Sequence, residues 1–164
     1  MLAGPAWATR NWRLHLYGDG ENRSGLERWA QRLGLADRAV FEGHVADVEE
    51  IWSLNHVQVM PSRIEGLPLA VIEAMLCGRP VVATDVAGAE VVEDGVTGFL
   101  PEAPTVGCVG NALERFWAGR DDAREIGATA AERIRQIVPP RTLSGFLHIR
   151  SGNSSGGLRA ASLA

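Results

Sequence analysis

The sequence contains no lysine, and all 16 of its basic residues are arginine. Chemistry that needs a lysine of this chain, such as a Schiff base or a P-loop phosphate contact, is therefore excluded. Cysteine is scarce as well, because the chain has only Cys77 and Cys108, which stand 31 positions apart. Two cysteines without a CxxC spacing make neither a disulfide scaffold nor a redox motif, so we expect a reducing, cytoplasmic compartment.

Long hydrophobic runs and an excess of positive charge are absent too. No segment approaches the ~20 apolar residues of a transmembrane helix, and the first residues lack the apolar core of a signal peptide. The net charge is -4 without a basic cluster, which argues against nucleic acid as a partner. The 4 histidines are scattered and no DxD pair ends a strand, so we expect no metal. The composition, 46% hydrophobic over 164 residues, fits one soluble globular domain.

Short apolar segments alternate with longer amphipathic ones along the chain. Strands are predicted at 12–17, 39–42, 56–60, 80–84 and 97–100, and helices at 26–33, 45–54, 67–76, 106–117 and 122–138. This alternation predicts an α/β fold with a Rossmann-like parallel sheet and helices on both faces. We expect one domain over residues 1–138 and a disordered tail over 139–164, because Pro139-Pro140 stop the last helix and no periodicity follows.

The loop and helix over residues 63–75 carry the most information. They follow a predicted strand, and ligands of open α/β sheets bind at the carboxyl ends of the strands. Pro68 suits the first helical position, so the amides of Leu69 and Ala70 lie at the helix start without intrahelical partners. These amides and the helix dipole form either a phosphate site or a helix start capped by water.

Glu73 lies in the middle of a helix, LAVIEAML, that is apolar nearly all round and is therefore predicted to be buried. A buried carboxylate is costly unless it is paired or hydrogen-bonded. The hydroxyls of a ribose would supply two donors to it. A distant arginine, such as Arg13 or Arg38, would serve equally well, and the sequence leaves both readings open.

Glu65 and Gly66 precede this helix. Glu65 could accept hydrogen bonds from sugar hydroxyls, or it could simply favour the positive end of the helix dipole. Gly66 would allow a ligand to approach the backbone closely.

Glycines also end the first two predicted strands. Gly18 and Gly20 form a GxG turn, which is a weak fingerprint because no third glycine follows at the usual spacing. A plain strand-exit turn explains them as well as a ligand does. Gly43 ends the second strand, and His44 beside it is either a solvated loop residue or a neighbour of a base.

Together, the segments LHLYGDG, FEGHV, MPSRIEGLPLAVIEAMLCGRPVVAT and DGVTGFL resemble the C-terminal, donor-binding half of a retaining GT-B glycosyltransferase, of the group-one or family-four type. The resemblance covers residues 12 to about 138. Its most specific part is the E-x7-E pair of Glu65 and Glu73, set in the context SRIEGLPLAVIEAMLCG.

The resemblance implies a role for each matching residue. Glu73 would bind the ribose of a nucleotide-diphosphate sugar, and Glu65 would contact the transferred sugar as the catalytic residue. The amides of Leu69 and Ala70 would hold the diphosphate, without a metal. The implied donor-binding residues are Gly18, Gly20, Gly43, His44, Glu65, Gly66, Leu67, Leu69, Ala70 and Glu73.

The sequence also departs from the family pattern. The family's C-terminal half usually begins one strand and one helix earlier, with an arginine and a lysine for the diphosphate, and an acceptor domain precedes it. We therefore expect a fragment or half-enzyme that needs an acceptor domain or partner chain, and that associates or aggregates through an exposed sheet edge. The alternatives are a sugar-nucleotide epimerase of the same architecture, with His44 as its acid/base residue, and a non-catalytic nucleotide-binding module.

Overall fold

The computed structural model describes residues 1–63, 69–84, 91–138 and 160–163. Its strands are β1 Leu14–Tyr17, β2 Ala39–Gly43, β3 Val57–Met60, β4 Val81–Ala83, β5 Gly98–Phe99 and β6 Ala160–Leu163. Its helices are α1 Pro5–Ala8, α2 Arg23–Arg32, α3 Val48–Leu54, α4 Leu69–Leu76, α5 Val106–Ala118 and α6 Ala123–Ile137. None of the helices in these ranges is long and apolar enough to cross a membrane.

The strands form one sheet in the order β2-β1-β6-β3-β4-β5. β1 pairs in parallel with β2, and β4 pairs in parallel with both β3 and β5. β6 runs antiparallel to β1 and to β3, so these two neighbours point the same way. The carboxyl ends of β1 to β5 therefore meet at one edge of the sheet, which we call the carboxyl edge.

Two hydrophobic clusters cover the two faces of the sheet, because successive residues of a strand point to opposite faces. Met60, Val81 and Ala83 belong to the cluster that α3, α4 and α6 complete. Val59 and Val82, one position along, belong to the other cluster, together with the tryptophans near the N-terminus and helix α5. The predicted helices on both faces are thus present.

The helix starts follow local sequence signals. The Asp47 carboxylate accepts hydrogen bonds from the amides of Glu49 and Glu50 and so caps α3. The Thr105 hydroxyl caps α5 in the same way by accepting from the amide of Cys108. The cap at Asp47 explains why α3 begins at Val48, three residues after the predicted start at residue 45.

The predicted Rossmann-like α/β fold is confirmed, with three corrections. The tail was expected to be disordered over 139–164, yet Ala160–Leu163 forms β6; residues 139–159 lie outside the described part. Helix α1 was not predicted. The sheet was expected to lack its first strand and therefore to expose an edge. In the observed strand order the place of a first strand is central, between β1 and β3, and β6 occupies it.

Candidate functional site

The glycines that end β1 and β2 meet at the carboxyl edge. The amide of Gly18 donates a hydrogen bond of 2.6 Å to the carbonyl oxygen of Gly43. Both residues have positive φ, 105° at Gly18 and 72° at Gly43. A residue with a side chain would be strained in these backbone conformations. The sequence prediction placed both glycines at a ligand site, and the structure brings them into direct contact.

An arginine that the sequence analysis missed lies beside these glycines. Arg23, the first residue of α2, donates to Asp19 at 2.6 Å, to Glu27 at 3.0 Å and to the carbonyl oxygen of Phe41 at 2.9 Å. The hydrogen bonds to Asp19 and Glu27 raise the pKa of Arg23 above its ordinary value. The i,i+4 spacing of these three residues was the signal that could have revealed the network. Arg23 is held by carboxylates, so its role here is to fix the turn after β1.

The ends of β3 and β4 are tied together as well. The buried Thr84 hydroxyl donates a hydrogen bond to the carbonyl oxygen of Ser62. The Thr84 amide donates a second one, of 3.2 Å, to the carbonyl oxygen of Met60. Arg63 follows directly and is exposed, and no ion pair involves it within the described residues. It brings a positive charge to the carboxyl edge that the sequence analysis did not assign.

Helix α4 starts at the same edge. Leu69 is 40% exposed and Ala70 is half-buried, so the first amides of the described helix lie near the surface. Glu73 is half-buried and lies on the face that Leu69 and Leu76 share, which is the more exposed face of α4. The expectation that this helix is buried all round was therefore wrong, because one stripe of it is accessible.

The sequence left open whether Glu73 pairs with a distant arginine. Arg38 uses its guanidinium elsewhere, donating to the carbonyl oxygens of Trp7, Ala8 and Arg10. It also lies at 5.1 Å over the ring of Trp12, against the opposite core cluster from α4. These contacts weigh against the Arg38 reading.

The other predicted site residues are either exposed to solvent or lie outside the described part. Gly20 and His44 are exposed. Glu65, Gly66 and Leu67 lie outside the described residues, so the E-x7-E pair remains a prediction.

Two titratable groups have raised pKa values, Tyr17 at the carboxyl edge and Cys77 beyond the far end of α4. Burial raises the pKa of Tyr17, whose hydroxyl accepts a 2.7 Å hydrogen bond from the buried amide of Asn55. Burial, together with the carboxylates of Glu49 and Glu73, raises the pKa of the Cys77 thiol. Neither group has the lowered pKa expected of a nucleophile. In the ranges that the structure describes, no three His, Cys, Asp or Glu residues cluster as metal ligands.

The chain matches a family model described as "Glycosyl transferases group 1" over residues 3–118. It is 34% identical over 137 residues to a D-inositol 3-phosphate glycosyltransferase from Gordonia bronchialis, covering 78% of this chain and 30% of that protein. It is 41% identical over 96 residues to the Vi polysaccharide biosynthesis protein VipC/TviE of Salmonella typhi, covering 57% of this chain and 17% of that protein.

Solved structures give the same picture. Anabaena Alr3699/HepE, crystallised with UDP and glucose, is 28% identical with a TM-score of 0.72, over 85% of this chain and 40% of that one. The same protein crystallised with UDP-glucose is 30% identical with a TM-score of 0.71, over 81% of this chain and 38% of that one. The chain thus spans less than half the length of these relatives. It belongs to the group 1 glycosyltransferases, and its fold is that of the C-terminal half of a GT-B member.

Proposed function

We propose that this chain binds the donor, a nucleotide-diphosphate sugar, at the carboxyl edge of its sheet. The observation that carries the proposal is the contact between Gly18 and Gly43 at the carboxyl edge, the edge at which α4 also starts. Glycine at both positions permits the positive-φ turns that bring the two strand ends together at this edge, and the helix start offers amides and a positive dipole end. The named complexes of Anabaena Alr3699/HepE with UDP and with UDP-glucose support a donor of this chemical class.

Glu73 accepts hydrogen bonds from the ribose hydroxyls in this proposal. Its place on the accessible stripe of α4, one turn from Leu69, is compatible with that role. The amides of Leu69 and Ala70 hold the diphosphate. Glu65 contacts the transferred sugar as the catalytic residue, as the E-x7-E resemblance implies.

Other residues at this edge contact the base and compensate the negative charge of the diphosphate. The Gly43-His44 backbone reads the base, and the turn from Gly18 to Gly20 lines the cleft. The exposed guanidinium of Arg63 supplements the helix dipole, which alone contributes only ~0.3–1 kcal/mol at an exposed helix end. Backbone amides and arginine replace a metal, so donor binding is metal-independent.

Transfer itself, with retention at the anomeric carbon, requires an acceptor side from another domain or a partner chain. The dipole term is far below the ~8 kcal/mol or more that enzymes contribute to transition-state stabilisation. This chain alone therefore binds the donor weakly and transfers no sugar above background. The reaction belongs in the cytoplasm, where reduced cysteines persist.

The test is saturation binding of UDP-glucose and GDP-mannose, followed by assays for transfer, hydrolysis and epimerisation. We expect saturable binding of one sugar nucleotide and no turnover by the chain alone. Epimerisation of the bound sugar would assign the chain to an epimerase instead. Transfer by the purified 164-residue monomer to a simple acceptor would refute the half-enzyme reading. Binding without transfer, even with a family acceptor domain present, would indicate a non-catalytic module.

A further inference from the structure

A buried threonine stands directly after β4, at the carboxyl edge of the sheet. Thr84 is 1% exposed, and its hydroxyl donates a hydrogen bond to the carbonyl oxygen of Ser62. The carbonyl oxygen of Met60 is 3.5 Å from the same hydroxyl, so Ser62 is the closer partner. Because an unpaired buried hydroxyl is costly, this bond fixes the place of the Thr84 side chain.

The hydroxyl bond extends the pairing of β3 and β4 past the ends of the two strands. Their last aligned pair is Met60 with Ala83. The amide of Thr84 donates to the carbonyl oxygen of Met60, and its hydroxyl reaches two residues further, to Ser62. The chain that follows β3 is therefore held beside the end of β4 as far as Ser62.

The residue after this anchored segment is an arginine. Arg63 is exposed and forms no ion pair within the described residues. The carbonyl group of Ser62 and the amide of Arg63 belong to one peptide unit, which is planar. By holding that carbonyl oxygen, the Thr84 hydroxyl fixes the peptide plane from which Arg63 extends.

The start of α4 lies at the same edge. Ala70, in the first turn of α4, packs against the hydrophobic cluster that includes Met60 and Ala83, the last residues of β3 and β4. A helix start attracts an anion through its free amides and its dipole, and a guanidinium binds phosphate oxygens through parallel hydrogen bonds. Arg63 and the start of α4 therefore bring two separate attractions for an anion to one edge of the sheet.

We propose that Thr84 is a positioning residue for the diphosphate of the donor. Its hydroxyl holds the peptide between Ser62 and Arg63, and the guanidinium of Arg63 binds the phosphate oxygens. Ordering of backbone on binding lowers affinity, and the Thr84 bond removes that loss because the backbone before Arg63 is already fixed. The inference rests on the proposed function, which supplies the diphosphate.

Calorimetry with UDP tests the proposal on the full chain. Thr84→Val replaces the hydroxyl by a methyl group of similar size and should weaken UDP binding at least about fivefold. Thr84→Ala removes the same hydroxyl through a smaller side chain and should do likewise. Thr84→Ser keeps the donor and should stay within about twofold of the unchanged chain. A loss in Thr84→Ser as large as that in Thr84→Val would overturn the role of the hydroxyl.

Thr97→Val is the matched control. Thr97 is also fully buried, and its hydroxyl accepts a 2.8 Å hydrogen bond from the amide of Glu93. It directly precedes β5 and so lies at the opposite edge of the sheet. Thr97→Val should lower the free energy of unfolding in urea and leave the affinity for UDP unchanged. An equal fall in UDP affinity would show that lost stability alone weakens binding, and the positioning role would be wrong.

A double-mutant cycle with Arg63 separates positioning from general support of the fold. Arg63→Gln should weaken UDP binding at least as much as Thr84→Val. Thr84→Val should add nothing in the Arg63→Gln chain, because both substitutions act through the same contact. Uridine has no phosphate and should bind all these variants equally. Additive losses, or a loss of uridine affinity in Thr84→Val, would overturn the proposal.

The outcomes distinguish this inference from the proposed function. UDP binding that Thr84→Val leaves unchanged would refute the positioning role and leave the donor site standing. No saturable binding of UDP or UDP-glucose by the unchanged chain would refute the proposed function, and the role of Thr84 with it.

Discussion

At the scale of single residues, Glu73 is the side chain on which the donor proposal depends most. Glu73→Ala should weaken nucleotide binding by about 1.5–3 kcal/mol, the range for hydrogen bonds to charged groups. Because Glu73 lies on the accessible stripe of α4, its loss should leave the fold intact. Calorimetry with UDP measures the affinity, and Glu132→Ala, at an exposed position of α6, is the control. Unchanged affinity with a large fall in melting temperature would make Glu73 a structural residue.

Gly43 belongs to the proposed donor site and also has a backbone conformation that favours glycine. Its φ of 72° favours glycine, and an added Cβ would lie 3.3 Å from an Arg23 nitrogen and 3.4 Å from an Asp19 oxygen. Gly43→Ala should lower the free energy of unfolding by about 1–2 kcal/mol and weaken nucleotide binding.

Gly25→Ala is the matched control for Gly43→Ala. Gly25 lies inside α2, where an added Cβ meets nothing within 4 Å, so alanine should stabilise the helix by about 0.5–1 kcal/mol. Urea unfolding compares the two variants. Equal effects of the two substitutions would contradict the strained turn at Gly43.

The site could be predicted from the sequence only in part. Glycines at strand ends are visible in any sequence, so Gly18 and Gly43 were correctly expected to share one edge of the sheet. The exposure of Glu73 was not expected, because the sequence of an apolar helix does not show which of its faces the neighbouring elements leave accessible. Arg23 was missed although its carboxylate partners Asp19 and Glu27 stand at i,i+4 spacing, because its third partner, the carbonyl oxygen of Phe41, belongs to β2 and is 18 residues away in sequence.

At the scale of elements, an ion pair joins α1 to α5. Arg10, just after α1, donates to both carboxylate oxygens of Glu114, at 2.9 Å and 2.8 Å, and stacks between the rings of Trp7 and Trp117. The Arg10 hydrogen bonds outweigh desolvation and lower the pKa of Glu114. A carboxyl with a lowered folded-state pKa stabilises the fold above its unfolded pKa, and this contribution is lost as pH falls through the folded pKa.

Glu114→Gln should therefore destabilise the chain at neutral pH and have little effect in acid. Because Glu114 is 43% exposed, we expect a loss of at most about 1 kcal/mol. Urea unfolding at neutral pH and at about pH 3 measures the difference, since an unfolded glutamate titrates near 4.3. Glu132→Gln is the control. A loss of stability that is the same at both pH values would show that charge at Glu114 is irrelevant.

Most elements were predictable because their patterns are local. The strands of β-branched and apolar residues and the amphipathic helices were found within a few residues of their observed bounds. β6 was not, because AASL is short and carries no β-branched residue, and its place in the sheet depends on two strands far away in sequence. Helix α1 is a single turn of four residues, too short for helical periodicity to show.

At the scale of the whole molecule, the account requires donor binding without a metal. Chelation with EDTA should leave the affinity for UDP-glucose unchanged, because backbone amides, the dipole of α4 and Arg63 provide the favourable charge. Calorimetry before and after chelation measures this. Loss of binding that Mn²⁺ or Mg²⁺ restores would contradict the metal-independent site.

The central claim is that a sugar nucleotide binds at the carboxyl edge of the sheet. Mapping amide chemical shifts during a titration with UDP-glucose tests it most directly. The account predicts saturable shifts at Gly18, Gly43, Leu69 and Ala70. Shifts confined to the opposite edge, around Arg13 and Arg38, or no saturable shifts from a folded chain, would contradict it.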